Sequence, residues 1–342
     1  MSTTTTQFTL SRTETGAMKG IAILAMLFHH IYACPPAGIE HYGHLLGMLG
    51  GLGKVCVALF VFCSAYGLST QYHSETVKGS IHFILARLVR FYTNYWPIFI
   101  IFVPIGVFVF GHPLTASYTS FRDPIRDILA INGFQSYNIT WWFNRLIILL
   151  YILFPLLYHL CRMQPIVFLV GSLVLTMVGQ TYIMPYYLAF AFGILWQQKE
   201  EWLSTCVSRV PQWLLAVISM LLLLGMCWLR IEMTFRHVLL LDCFIAPVLA
   251  LSVVSFLRLL PHLLQLFSFL GKHSGNIYMT HTFIYSYWFS KYVYICDLRI
   301  GGGIVVVLAV CLILSVLIEY IKVKTGVYKL SDKVVAKLKE KY

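Results

Sequence analysis

The stretch 304–321, IVVVLAVCLILSVLIEYI, carries a single charged side chain, Glu319. About 20 apolar residues in a helix cross the roughly 30 Å of a bilayer's hydrocarbon core. Runs of this kind recur along the chain. They constrain its fold more than any other feature, because in lipid a backbone must satisfy its own hydrogen bonds and a helix does so within one segment. Of the 342 residues, 59% are hydrophobic and 11% charged, against about 25% charged in soluble domains. Little chain remains for a separate soluble domain, so an all-α integral membrane protein is expected.

Ten spans are expected, at 17–33, 45–69, 91–110, 143–161, 166–182, 185–196, 213–229 and 237–257, a ninth opening with FLGKHSGNIYMTH at 269–281, and a tenth at 304–321. The net charge of +12 does not indicate nucleic acid. With loops allotted to alternate sides, most of the Lys and Arg fall on one side, which is the positive-inside signature and puts both termini in the cytoplasm. The N-terminal MSTTTTQFTLSRTETG lacks a cleavable-signal pattern, so the first span is expected to stay as an anchor. The organisation expected is a cytoplasmic segment 1–16, a transmembrane domain 17–322 and a basic tail 323–342. The tail alternates Lys with Leu and Val and reads as amphipathic, lying on an anionic leaflet of the lipid bilayer. The nine Cys are scattered without a CxxC pair, so neither a metal site nor a disulfide framework is expected.

Lys19 and His30 are eleven positions apart in the first span, close to three helical turns or about 17 Å along the axis. They share a face, and His29 points elsewhere. An ionisable side chain at membrane depth is a functional candidate by default, with hydrogen bonding to neighbouring helices as the plain alternative. Arg87 and Arg90 are three apart where the third span begins. They suit a phosphate-bearing ligand, since Arg presents a planar fork of donors, or they are positive-inside anchors beside the interfacial aromatics Tyr92, Tyr95 and Trp96.

The loop from His112 to Thr140 contains RDPIRD and the glycosylation-like triplet Asn138-Ile139-Thr140. Its length points to function. Trp142 sits where an aromatic belt would lie. Arg145 follows one turn inside, snorkelling outward or touching an acceptor. Asp242 is an intramembrane acid whose partner is expected among Arg236, His237 and His30. Ser274, Tyr278 and His281, four and three apart, line one stripe, with Lys272 just before them.

Together these pieces resemble the membrane acyltransferase-3 family, which includes bacterial polysaccharide O-acetyltransferases. The resemblance runs from about Lys19 to Ile321 and rests on five motifs in the family's order. They are Lys19 and His30 in the first span, FVFCSAYG closing the second, Arg87 and Arg90, WWFNRLIILLYILFPLL with Pro155, and the GKHSGNIYMTH signature from Gly271 to His281. Two departures stand out. Ala65 replaces the usual Gly, and Asn144 and Arg145 stand where many members have Glu.

The resemblance implies a multi-pass enzyme of the inner (plasma) membrane, moving an acyl group from cytoplasmic acetyl-CoA or another acyl-CoA to a hydroxyl of an extracytoplasmic glycan or lipid-linked saccharide. Lys19, Arg87, Arg90 and Lys272 would hold the donor's phosphates. His30 would act as general base, or itself take the acyl group. Ser274, Tyr278 and His281 would steady the oxyanion, and the acceptor would enter near Trp142, Arg145 and Asp242. With no further domain expected, the membrane domain completes the transfer or passes the acyl group to another protein. The alternative from the residues alone is a proton-coupled secondary transporter using the buried His, Asp and Arg.

Overall fold

The computed structural model describes residues 9–36, 38–39, 43–178, 186–233, 235–300 and 302–341, with backbone alone at 235–237 and 297–300. Among these residues all regular structure is helical. In chain order the α-helices are α1 (Arg12–Ala33), α2 (His44–Leu52), α3 (Val55–Ser69), α4 (Val77–Phe108) and the short α5 (Asp123–Ile128). Next come α6 (Trp142–Met163), α7 (Pro165–Val178), α8 (Tyr187–Gln198), α9 (Glu200–Ser208), α10 (Gln212–Glu232) and α11 (Phe235–Leu257). Last are α12 (Pro261–Thr282), a π-helical turn (Phe283–Trp288), α13 (Ser290–Ile300), α14 (Gly303–Lys324) and α15 (Val327–Lys341).

Among the described residues, 7 helical segments are long and apolar enough to cross a membrane, α2 and α3 counting together as one. The other expected spans correspond to α7, α8 and α12. α7 has 14 residues and α8 has 12, while α12 carries Lys272 and three His. The expected end of the fifth span and start of the sixth, 179–185, lie outside the described residues.

Several boundaries differ from those expected. α1 starts at Arg12 because Ser11 and Glu14 form a capping box: Ser11 Oγ accepts from the Glu14 amide at 3.2 Å, and Glu14 Oε2 accepts from the Ser11 amide at 2.8 Å. The expected second span is broken at Gly53, where a Cβ would lie 2.3 Å from the Ala25 carbonyl oxygen. α4 starts at Val77, where Thr76 caps the Gly79 amide at 3.1 Å. Arg87 and Arg90 therefore sit inside a helix rather than at its start. The loop expected after the sixth span contains α9.

The chain forms two compact units. The first comprises Met1–Ala33, Tyr42–Tyr72 and Phe154–Lys272. At its centre is α3, which is buried over most of its surface, including Phe62, Ala65 and Leu68, with Val57, Phe60, Ser64 and Gly67 half-buried along one face. α8 packs closely against it: a Cβ on Gly193 would stand 2.7 Å from Ala65 Cβ. The glycine that allows this approach is on the partner helix, which is how α3 carries Ala65. α10 turns Val217, Leu221, Leu224 and Trp228 outward, the pattern of a lipid-facing helix.

Asp242, fully buried, pairs with Arg230 of α10. The expected partners do not include this one, and the Arg236 and His237 side chains lie outside the described residues. Losing one partner of a buried pair leaves a bare charge and costs about 3–5 kcal/mol. Arg230→Ala is therefore expected to lower stability against denaturant by that amount, and Arg230→Met combined with Asp242→Leu by much less. Equal losses in the single and double variants would contradict the pairing.

The second unit comprises Cys34–His41, His73–Leu153 and His273–Tyr342. Its axis is α4, and the loop after α4 folds back along it. Tyr92 Oη donates to Leu129 O at 2.9 Å, Tyr95 Oη to Asp127 O at 2.6 Å and Trp96 Nε1 to Ile128 O at 3.0 Å. The three aromatics expected as a belt thus clamp this loop. Inside the loop Asp127 Oδ2 accepts from Tyr118 Oη at 2.7 Å and the Tyr137 amide at 2.8 Å. Asn138 is fully buried, its Oδ1 capping Thr140, so the glycosylation-like triplet is not an accessible acceptor in the folded chain.

Burial holds the Asp127 carboxyl above the usual carboxylate range, against the opposing pull of the Tyr137 amide and Tyr118 hydroxyl. The folded state then binds the proton more tightly than the unfolded one. Stability in this loop should rise as pH falls through the raised value toward the ordinary value near 4. Amide exchange at 118–137 is expected to slow over that window after correction for intrinsic rates. Asp127→Asn should remove the dependence.

Lys322, at the end of the expected transmembrane domain, is fully buried. Its Nζ donates to Asn94 Oδ1 at 2.9 Å, Asn276 Oδ1 at 3.3 Å and Glu319 Oε1 at 2.7 Å. Gly326, in the left-handed region at φ 73°, turns the chain from α14 into α15. Tyr328 at the start of α15 bonds Glu319, so the amphipathic tail is also tied to the body.

Candidate functional site

Within the first unit, α1 and α12 cross backbone against backbone. A Cβ on Gly271 would lie 1.8 Å from the Gly16 carbonyl oxygen, and one on Gly20 would lie 2.0 Å from that of Phe267. This contact is the physical reason for the glycine that opens the GKHSG motif. It sets Lys19 and Lys272 on the rim of one cavity of about 540 Å³, lined also by Arg12, Thr15, Thr70 and Gln71. Cys63 and Tyr66, from the motif closing α3, form its inner wall. Lys19 and Lys272, with several hydroxyl or amide groups around such a space, suit an anionic, phosphate-bearing ligand.

From this cavity α1 continues unbroken to His30, so the expected rise of about 17 Å from Lys19 stands. His30 is half-buried, and its ring centre is 5.2 Å from that of His29. His29 Nδ1 lies 3.0 Å from the Gly50 carbonyl oxygen. A carbonyl only accepts, so that nitrogen carries the proton.

The second unit holds the other candidates. α12 is unbroken through the predicted stripe, and Ser274 and His281 are buried on it. His281 Nδ1 is 2.7 Å from the Tyr278 carbonyl oxygen, so the proton sits on Nδ1, and Nε2 turns to Thr282 Oγ1 at 3.4 Å. Thr282 continues to Thr140 at 2.9 Å, and Thr140 donates to Asn138 Oδ1 at 2.7 Å. This buried polar row ends at the π-helical turn, a feature that often marks functional sites. The Tyr278 hydroxyl is committed, donating to Thr140 O at 2.6 Å beside the start of α6. Trp142 stacks on Phe134 with ring centres 5.4 Å apart. Arg145 lies over Gly133, where a Cβ would be 3.3 Å from Nη1. Arg87 is half-buried on α4 and Arg90 exposed.

The structure thus joins Lys19 with Lys272 in one cavity, and gathers Tyr278, Trp142 and Arg145 near the start of α6. Asp242 is engaged by Arg230. Sequence reading missed Tyr66 and Glu200, which bond each other, and the Asn276–Lys322 network. Among the described residues no group of three or more His, Cys, Asp or Glu is placed to hold a metal ion.

Among curated proteins and solved structures, none matches the chain. A family model described as an acyltransferase domain matches residues 16–320. That range takes in the crossing of α1 with α12, the His30 segment and the buried row at His281, and by it the chain belongs to the acyltransferase-3 family of membrane acyltransferases.

Proposed function

We propose that this protein takes an acyl group, acetyl in the first instance, from cytoplasmic acyl-CoA and delivers it to a hydroxyl of an extracytoplasmic or lipid-linked glycan. It would act as a multi-pass protein of the plasma membrane with both termini in the cytoplasm. The observation that carries the reading is the cavity rimmed by Lys19 and Lys272, three helical turns before His30 on the same helix. Coenzyme A brings a cluster of phosphate charges on a long thin arm. Cations at one end of α1 and an imidazole about 17 Å further on match the two ends of such a molecule.

In this reading His30 takes the proton from the acceptor hydroxyl as its oxygen attacks the thioester carbonyl; coenzyme A then leaves as the thiol, and the acyl ester remains on the acceptor. Acyl capture on His30 itself is the two-step variant. Of the stripe on α12, Ser274 serves as a donor to the developing oxyanion, a task that favours a dry, preorganised site; the Tyr278 hydroxyl is already used, and His281, with its Nδ1 proton given to the Tyr278 carbonyl, offers only an acceptor at Nε2. Arg87 and Arg90 supply further phosphate contacts. Trp142 and Arg145 meet the acceptor, and Asp242 is read as a structural partner of Arg230.

The test is to incubate the purified protein in nanodiscs with labelled acetyl-CoA and follow thioester loss and thiol release, with and without glycan acceptors. Acceptor-dependent release is expected. Absence of thioester cleavage with any short acyl-CoA would overturn the proposal.

A further inference from the structure

The segment just before α1 is held against the first unit by a set of polar contacts that the acyl-transfer reading does not use. The Leu10 amide lies 3.0 Å from Tyr66 Oη and 3.2 Å from Glu200 Oε1, the Tyr66 hydroxyl bonds Glu200, and Tyr66 Oη is also 3.2 Å from the Leu10 carbonyl oxygen. On the other side Arg258 Nε donates to Glu14 Oε1 at 2.6 Å and Nη2 to the Thr9 carbonyl oxygen at 3.3 Å. Strands of chain preceding a helix are ordinarily loose unless tied down. This one is tied at both edges, and its Leu10, with Arg12 at the start of α1, lines the cavity that also holds Lys19 and Lys272.

The contacts shown for the two carboxylates nearest the strap are to groups other than the rim cations. Glu14 gives one oxygen to Arg258 and the other to the Ser11 amide, and Glu200 is engaged by Tyr66 and Leu10. Arg12 is left in the first turn of a long helix, where the unpaired backbone amides already favour an anion.

We infer that this strap is the closing wall of the cavity, that Arg12 is a contact for a phosphate of the donor alongside Lys19 and Lys272, and that Glu200 with Tyr66 is the latch that positions Arg12. The inference rests on the acyl-CoA reading and adds to it a third cation and the device that aims it. Glu200 acts through the strap and touches no ligand, so it is a positioning residue.

The experiment uses the full chain in phosphatidylcholine nanodiscs, titrated with coenzyme A and with pantetheine, which lacks the phosphates. Arg12→Ala should weaken coenzyme A binding about tenfold, as expected for one charge-assisted contact, and leave pantetheine binding unchanged. Arg12→Lys should recover part of the loss. Glu200→Gln should also weaken coenzyme A but not pantetheine, and should speed amide exchange at 9–11 while the thermal midpoint stays put.

Coenzyme A bound equally well by wild type and Arg12→Ala overturns the inference alone. It would also be the result if Arg12 served a lipid phosphate instead. Equal weakening of both ligands makes Arg12 structural and overturns it too. Wild type that fails to bind coenzyme A overturns the donor reading, and this inference with it.

Discussion

Alanine at His30 is expected to lower acyl transfer by about 10²–10⁴-fold, the range lost when a general base is removed, without loss of folding. The second half of that expectation comes from where α1 is held. Its capping box at Ser11 and Glu14, the ion pair to Arg258 and the glycine crossing with α12 all lie at or before Gly20, and further along it is Ala25 and His29, rather than His30, that pack against Gly53 and Gly50. His30 is only half-buried near the helix's other end. Coenzyme A binding should be nearly unchanged, because the cavity is about three turns away. Activity of purified His30→Ala, with its thermal midpoint and coenzyme A titration measured alongside, checks all three. Activity retained in His30→Ala but lost in His281→Ala would move the base to the row that runs from His281 through Thr282 to Thr140.

The second large effect is steric. Gly271→Ala would drive a methyl group to 1.8 Å from the Gly16 carbonyl oxygen, a backbone atom that no rotamer change can move aside. Overpacking costs about 1–3 kcal/mol where neighbours can shift, and here two helix backbones would have to separate. Gly271→Ala is expected to reach or exceed that range and to abolish coenzyme A binding, since the same crossing places Lys19 beside Lys272. Gly275→Ala, one turn on in α12 with nothing within 4 Å of its Cβ position, is the matched control. There the better helix former should be neutral or slightly stabilising. Denaturation curves for the two variants separate a steric cost from a general intolerance of α12 to alanine.

What the sequence made legible was whatever depends on hydropathy and on spacing within one helix. The apolar runs gave the helical membrane class, and the register of Lys19 with His30 held because α1 is continuous. Helix starts were misplaced where polar capping, rather than apolar content, sets the boundary. Ser11-Arg12-Thr13-Glu14 is a capping-box pattern that could have placed the start of α1 at Arg12. The amphipathic first turns of α4 were passed over because they are not apolar enough to read as a span. Contacts between distant segments left little trace. Nothing in RDPIRD says that Asp127 ends up under Tyr95, and nothing near Asp242 points to Arg230 rather than to the basic residues adjacent in sequence. The exception is the glycine of GKHSG, a small residue where backbones must touch, though nothing in the sequence marks Gly16 as its partner.

The most direct measurement is photo-crosslinking of the full-length protein in nanodiscs with a coenzyme A analogue that carries the photoreactive group on its adenine, followed by peptide mapping. The account predicts label on the cavity lining, in the peptides around 10–19, 63–71 and 268–272, competed away by unlabelled coenzyme A and lost in Lys19→Ala combined with Lys272→Ala. Competable label confined to other segments, with the lining unmarked, would contradict it.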